Sequence, residues 1–182
     1  MTNIHCLIHS EAGEGHTNAD VVGVRPYPSN ADVLLCALAD GQGGQVCVDD
    51  VAGYCSLVSL CISEWEVCGA SCGDSGALLL SGGREILLTE GQRKNPPVGS
   101  SAAHPVAFSA RLQPGWTLLV VSDGVWKYVG WESISRLASR TQGQELIAAL
   151  RQASLEANGG RLQDDFSVAL LQQQKHMGQI GS

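Results

Sequence analysis

Five aspartates lie at or beside the ends of apolar runs, each next to glycine or another small residue. Asp40 follows "VLLCALA", Asp74 lies in "CGDSG", Asp123 follows "LLVVS", Asp164 opens "DDFSVALL", and Asp20 lies in "TNADVVGV". An aspartate beside glycine is by itself more often a turn than a ligand. The repetition of this context makes the five carboxylates the first candidates for chemistry.

Carboxylates that meet at one end of a stacked antiparallel fold repel one another unless cations lie between them. The sequence has no cluster of histidine or thiolate at metal-ligand spacing, and oxygen ligands favour a hard ion such as Mg²⁺ or Mn²⁺. Two such ions sharing an aspartate would acidify a bridging water and bind phosphoryl oxygens. Gly41 would let a backbone carbonyl turn toward an ion. These residues therefore predict a metal-dependent hydrolase of phosphate esters.

Short β-type runs separated by Gly, Asn, Asp and Pro dominate the sequence and predict antiparallel strands. Apolar residues at helical spacing predict helices over 131–140 and 144–157, the second ended by "NGG". The polar, proline-containing stretch 90–105 is expected to be a surface loop. Strands followed by late helices predict an α+β fold.

The composition limits the classes of function. The 182 residues, 44% of them hydrophobic, suffice for one domain, expected over 1–172 with a flexible tail over 173–182. A net charge of -7 argues against nucleic acid as a partner. No apolar run approaches the roughly 20 residues of a membrane span, which argues against membrane association. The seven cysteines form no paired motif, which favours a reducing, cytoplasmic location.

The order of the motifs resembles the metal-dependent Ser/Thr protein phosphatases of type 2C, the PPM family. "LADGQGGQ" resembles the family's Asp-Gly-x-Gly-Gly motif, "SCGDSGALLL" its Gly-Asp-Ser strand, and "TNADVVGV" its Asn-Glu-Asp motif. "LQPGWTLLVVSDGVWKYV" is similar to the Pro-Gly-Asp strand with Ser-Asp-Gly, and "DDFSVALL" to the closing strand. The resemblance covers most of residues 16–172. It implies a β-sandwich of two antiparallel sheets flanked by helices.

The resemblance also implies roles for the aspartates. Asp40 would bridge two ions, the carbonyl of Gly41 would ligate one of them, and Asp123 with Asp164 would complete the shell of the second. Such a centre would hydrolyse phosphoserine or phosphothreonine of a phosphorylated protein substrate through a metal-bridging water or hydroxide.

Two further aspartates have roles implied by the same resemblance. Asp20 would hold metal-bound water from a second shell and act in catalysis together with Asp40. Asp74, with Asp123, would help to hold the third, weaker ion of family members.

The sequence departs from the family after the Asp-Gly-x-Gly-Gly motif. Only eight residues, "QVCVDDVA", separate Gly44 from Gly53, where family members insert two long helices. One helical layer is therefore expected to be reduced or missing. An apolar sheet face would be left open, and we expect a homo-oligomer or another partner to cover it.

Other departures concern the phosphate and the proton. The family's phosphate-binding arginine is absent from the neighbourhood of His16, and Arg25, Arg84 and Arg93 are the alternatives. Gln42 replaces a histidine that serves as a candidate general acid in many eukaryotic members, and glutamine cannot donate a proton in that way.

Three hypotheses remain: an active phosphatase, a catalytically impaired pseudophosphatase that binds or regulates, and a plain β-sandwich with turn aspartates.

Overall fold

The computed structural model describes residues 4–42, 53–92 and 96–173. These residues form ten strands and three helices. The strands are β1 Ile4–Glu11, β2 Val21–Tyr27, β3 Asn30–Gln42, β4 Tyr54–Ile62, β5 Glu66–Cys72, β6 Gly76–Ser81, β7 Arg84–Leu87, β8 Val106–Arg111, β9 Thr117–Val121 and β10 Phe166–Gln173. The helices are α1 Asp123–Val129, α2 Trp131–Ala138 and α3 Gly143–Ala157.

The strands form two antiparallel five-stranded sheets. The first sheet has the order β1-β10-β9-β6-β7, and the second has the order β2-β3-β4-β5-β8. Within the first sheet, Val121 pairs with Val168 on one side and with Gly76 on the other. Within the second, Asp40 pairs with Ser56. Strands β3, β6 and β9 end or begin beside predicted site residues. Each of them has a neighbouring strand on both sides, so none is an edge strand of its sheet.

The main core lies between the sheets. Strand β4 alternates between buried residues such as Val58 and Leu60, which face this core, and less buried residues that face away. Trp116, the residue that stands where the family has the aspartate of Pro-Gly-Asp, is 1% exposed in this core. Its size and burial explain why an aromatic residue, rather than a carboxylate, is accommodated there. The other large buried side chains of this core are Leu38, Ile62, Leu79, Leu112 and Leu118.

The three helices pack on the outer face of the first sheet. Their apolar residues join side chains of β6, β9 and β10 in a second core. Helix α3 shows the expected spacing, since Leu146, Ile147 and Leu150 are buried while its other face is exposed. The members of this second core include Leu78, Leu119, Val125, Ile134, Phe166 and Leu170.

The outer face of the second sheet is different. In the described ranges of the chain, none of the three helices belongs to a core that includes this face. Leu35 and Leu57 point away from the main core and are only partly buried, and Val21 is 71% exposed. The expected reduction of one helical layer is therefore confirmed for the described part of the chain. The segment "QVCVDDVA" itself lies outside the described residues.

The α+β sandwich predicted from the sequence is confirmed, with two omissions. The short β-type runs of the sequence do not include β8, which begins directly after the proline-containing stretch that predicts a loop. Helix α1 was missed because Asp123 and Gly124 resemble a turn, and its seven residues are too few for a clear periodicity. Strand β10 extends to Gln173, and the rest of the predicted tail lies outside the described residues.

Among the residues that the structure describes, no helix is both long enough and apolar enough to cross a membrane.

Candidate metal centre

Three of the predicted aspartates come together at one end of the sandwich. Asp40, Asp74 and Asp123 each offer a carboxylate oxygen within 4.8 Å of the others, and all three residues are partly buried. Asp40 lies near the end of β3, Asp74 lies between β5 and β6, and Asp123 is the first residue of α1. The chain passes from the second sheet to the first at Asp74, so this residue joins the carboxylates of both sheets.

Asp20 is a fourth member of this end of the sandwich. Its side chain is buried, and its Oδ2 has no hydrogen-bond partner. The pKa of Asp20 is raised from 3.8 to about 6, and burial is the largest cause. Hydrogen bonds with Ser167 and Ser122 oppose this rise, whereas the charges of Asp165 and Asp123 add to it. A buried carboxylate with one unpartnered oxygen is stable when a proton or a cation lies beside it.

Asp40 has the same property to a greater degree. The pKa of Asp40 is raised from 3.8 to about 8, first by burial and then by the negative charges of Asp123 and Asp20. Its Oδ2 is also buried without a hydrogen-bond partner. Oxygen donors crowded in this way fit a hard divalent cation, which supplies the missing positive charge. The residues present therefore fit the Mg²⁺ or Mn²⁺ expected from the sequence.

Gly41 is required by a close approach of two segments. A Cβ atom at this position would lie 2.9 Å from the carbonyl oxygen of Ala19 and 3.1 Å from its Cβ. A larger residue would push β3 away from the segment that carries Asp20. The glycine of the Asp-Gly pair thus allows Asp20 and Asp40 to be neighbours, which is a packing role in addition to the backbone ligand role expected from the sequence.

Asp164 lies beside the three-carboxylate group but is not one of its members. A Cβ atom on Gly124 would lie 3.0 Å from the Cβ of Asp164, so the side chain is next to the start of α1. Burial raises the pKa of Asp164, a hydrogen bond from the backbone N–H of Asp165 lowers it, and the charge of Asp123 raises it. Asp164 is therefore close enough to Asp123 for the negative charge of Asp123 to raise its pKa.

Asp165 has a role that the sequence did not indicate. Its Oδ1 accepts a hydrogen bond of 2.9 Å from the backbone N–H of Gly13, and its Oδ2 accepts one of 2.6 Å from Ala19. His16 Nδ1 lies 3.4 Å from the same carboxylate. Asp165 thus fixes the loop between β1 and β2, at whose end Asp20 lies. Because its acceptors bind backbone amides 146 and 152 residues away, local sequence carries no signal for this role.

Lys127 is the basic side chain at the cluster. Its ammonium donates a 2.9 Å hydrogen bond to Asp74 Oδ2 and also hydrogen-bonds Asp123 Oδ2. Burial lowers the pKa of Lys127, but the hydrogen bonds with Asp123 and Asp74 outweigh this effect and raise it above its ordinary value. The spacing of four residues between Asp123 and Lys127 would have indicated this pair if α1 had been predicted as a helix.

Comparisons with known proteins identify the family of this chain. The family model Stage II sporulation protein E (SpoIIE) matches residues 34–174. The chain belongs to the SpoIIE family. No curated protein matches the sequence. The SpoIIE family model is of the PPM type, so the resemblance stated from the motifs is confirmed.

Solved structures share the fold of this SpoIIE-family chain. A bacterial serine phosphatase aligns with a TM-score of 0.77 at 18% identity, over 94% of this chain and 98% of that one. The phosphatase Stp1 from Staphylococcus aureus gives 0.75 at 18% identity, over 94% and 96%. RsbX in complex with magnesium gives 0.73 at 16% identity, over 94% and 96%. At these identities the likeness establishes the fold.

Two of the three arginines considered from the sequence lie away from the carboxylates of this SpoIIE-family chain. Arg25 lies on β2 and borders a shallow cavity on the open face of the second sheet. Arg84 begins β7 and borders a cavity with Arg111 at the other end of the sandwich. Arg93 lies outside the described residues, as does the side chain of Gln42. His16 lies beside Asp165. Neither Arg25 nor Arg84 lies at the carboxylates, so neither occupies the place of the missing phosphate-binding arginine.

The first prediction concerns pH. In the folded, metal-free protein the pKa of Asp40 is raised to about 8 and that of Asp20 to about 6, so the folded state binds more protons than the unfolded state above pH 3.8. This stability is fully present below the unfolded pKa and is lost as pH rises through the folded values. Thermal melts in EDTA should therefore show a midpoint that falls from about pH 4 to about pH 8 and levels off above that pH.

Asp40→Asn should flatten this pH dependence and raise the melting midpoint at the alkaline end. Glu85→Gln, which changes an exposed carboxylate on β7, is the matched control and should retain the wild-type curve. A midpoint that is constant or rises with pH in the wild type would contradict the prediction.

The second prediction concerns Asp165. Asp165→Ala removes the acceptors for the amides of Gly13 and Ala19, and an unsatisfied buried amide costs about 1–3 kcal/mol. We expect a loss of at least about 2 kcal/mol in unfolding free energy and faster hydrogen exchange at these two amides. Asp165→Asn keeps one oxygen acceptor and should give an intermediate loss. Unchanged exchange at both amides in Asp165→Ala would disprove the positioning role.

Proposed function

We propose that this SpoIIE-family chain is a Mg²⁺- or Mn²⁺-dependent phosphatase that hydrolyses phosphoserine or phosphothreonine in proteins. The observation that carries the proposal is the convergence of Asp40, Asp74 and Asp123, with a buried oxygen of Asp40 that has no hydrogen-bond partner. A plain sandwich with turn aspartates has no reason to collect carboxylates that repel one another. RsbX, a fold relative, is known in complex with magnesium, which supports the choice of ion.

In this proposal Asp40, the carbonyl of Gly41, Asp123 and Asp164 would hold two ions. When bound, a pair of divalent ions supplies an acidified water and positive charge for the phosphoryl oxygens. Asp40 would contact both ions, because it belongs to the three-carboxylate group and has a buried oxygen without a hydrogen-bond partner. Asp164, adjacent to Asp123 but outside the compact group, would reach the ion on that side.

Asp20 would act on the proton. Its carboxylate is fixed by Ser122 and Ser167 on one side, while Oδ2 keeps its accepting capacity. A carboxylate with this arrangement can accept a hydrogen bond from water at the centre and orient that water. Asp165, through the amides of Gly13 and Ala19, would keep Asp20 in place.

The third prediction tests the activity. Hydrolysis of p-nitrophenyl phosphate and of a phosphothreonine peptide should require Mn²⁺ or Mg²⁺ and stop in EDTA. Asp40→Ala and Asp123→Ala should each lower the rate by at least about 100-fold. Each substitution removes a proposed ligand of the metal ions, whose positive charge would stabilise the transition state. Glu85→Gln should keep the wild-type rate.

A rate in the wild type no greater than in the two alanine variants would reject the enzyme and favour the pseudophosphatase hypothesis. Substrate preference is read by comparing phosphoserine, phosphothreonine and phosphotyrosine peptides of one sequence. Efficient hydrolysis of the phosphotyrosine peptide alone would contradict the proposed substrate class.

The fourth prediction concerns the open face of the second sheet, where Leu35 and Leu57 are partly exposed. We propose that a second subunit or another partner covers this face in a cytoplasmic protein. Sedimentation of the purified chain should show a dimer or larger species, and Leu35→Lys should shift it toward monomer. A wild-type monomer that binds no hydrophobic dye would contradict the prediction.

A further inference from the structure

The Asp74–Asp123 edge of the cluster already contains a cation that belongs to the chain. Lys127 Nζ hydrogen-bonds one oxygen of each carboxylate, and the Asp74 contact measures 2.9 Å. The sequence resemblance assigns a third, weaker ion to this same pair of aspartates. An ammonium group and a divalent cation cannot both lie between the same two oxygens, because the two positive charges repel and the space is shared.

The lysine is held in place by packing. Trp126, its neighbour on α1, donates a 2.7 Å hydrogen bond from Nε1 to the backbone oxygen of Asp74. The Trp126 ring stacks on Trp131 with a centroid distance of 5.7 Å and an interplanar angle of 9°. Consecutive side chains of α1 therefore bind the backbone and the carboxylate of Asp74. Trp126 thus anchors the helix that carries Lys127, and the hydrogen bonds to Asp74 and Asp123 position the ammonium.

Burial distinguishes this ion pair from an ordinary surface pair. The side chains of Asp74, Asp123 and Lys127 are 7%, 15% and 31% exposed. Arg136 and Glu132 on α2 have the same spacing of four residues, but they are 53% and 95% exposed and 4.0 Å apart. Exposed pairs such as Arg136–Glu132 contribute little or nothing measurable to stability. Lys127 instead supplies a permanent unit charge to carboxylates that are largely removed from water.

We propose that Lys127 is a tethered cation that takes the place of a third divalent ion at the Asp74–Asp123 edge. This chain then binds two ions, one fewer than the three implied by the resemblance. Lys127 Nζ uses Oδ2 of Asp123 and leaves its other oxygen for the proposed second ion. The inference rests on the proposed metal centre and concerns its stoichiometry, so it can be tested by binding, without a measurement of activity.

The test is Mn²⁺ binding to the full chain, measured by titration calorimetry and counted by equilibrium dialysis. The wild type should bind two ions. Lys127→Met removes the charge at similar length and should admit a third, weak ion. Lys127→Asp adds a carboxylate and should bind that third ion at least about tenfold more tightly than Lys127→Met. Arg136→Met breaks the exposed pair on α2 and should bind two ions like the wild type.

A second readout uses the metal-free protein. In EDTA, Lys127→Met should melt below the wild type, because Asp74 and Asp123 lose their countercharge, and saturating Mn²⁺ should raise its midpoint by more than that of the wild type. Arg136→Met should show neither difference. If Lys127→Asp does not fold, the wild-type stoichiometry and the Lys127→Met melts still decide the question.

Three outcomes would overturn the inference. Three ions bound by the wild type would exclude the tethered cation while leaving the metal centre intact. Two ions bound by both lysine variants, with affinities within about twofold of the wild type, would reduce Lys127 to an ordinary ion pair. The absence of any Mn²⁺ binding by the wild type would reject the proposed metal centre and this inference together.

Discussion

The mutual repulsion of carboxylates at one end of the sandwich is the constraint on which the rest of the structure depends. Two like charges about 4 Å apart near a protein surface repel by roughly 4 kcal/mol. Asp40, Asp74 and Asp123 nevertheless have carboxylate oxygens within 4.8 Å of one another. They are held there by strands and a helix whose apolar residues form two cores. The cores therefore supply the free energy that keeps the acidic centre assembled, and a cation or proton at the centre lowers what they must supply.

The contacts around the centre are of three kinds that complement one another. Gly41 removes bulk so that β3 can approach the segment of Asp20, while Asp165 binds the amides of Gly13 and Ala19 and fixes that segment. Lys127 supplies positive charge from the opposite side, through α1. The carboxylates are thus positioned by packing, by backbone hydrogen bonds and by a countercharge, each from a different part of the chain.

The unequal covering of the two sheets separates the requirements of the centre from those of solubility. The helices pack on the first sheet, and α1 among them contributes both Asp123 and Lys127 to the centre. The outer face of the second sheet contributes no side chain to the three-carboxylate group, which draws Asp40 from the end of β3. A reduced helical layer on that face therefore leaves the described geometry of the centre complete.

The sequence by itself determined the sandwich class, most of its strands, and the aspartates worth attention, because alternating apolar residues and Asp-Gly pairs are local patterns. Only the tertiary structure decided which carboxylates share a site, since Asp40 and Asp123 belong to different sheet layers, are 83 residues apart in number, and meet only because the two sheets pack on each other. It also decided the roles of Asp165 and Lys127. One binds amides of a distant loop, and the other depends on a seven-residue helix that local periodicity could not predict. Local patterns specify elements, whereas a site is made by the long-range packing of their ends.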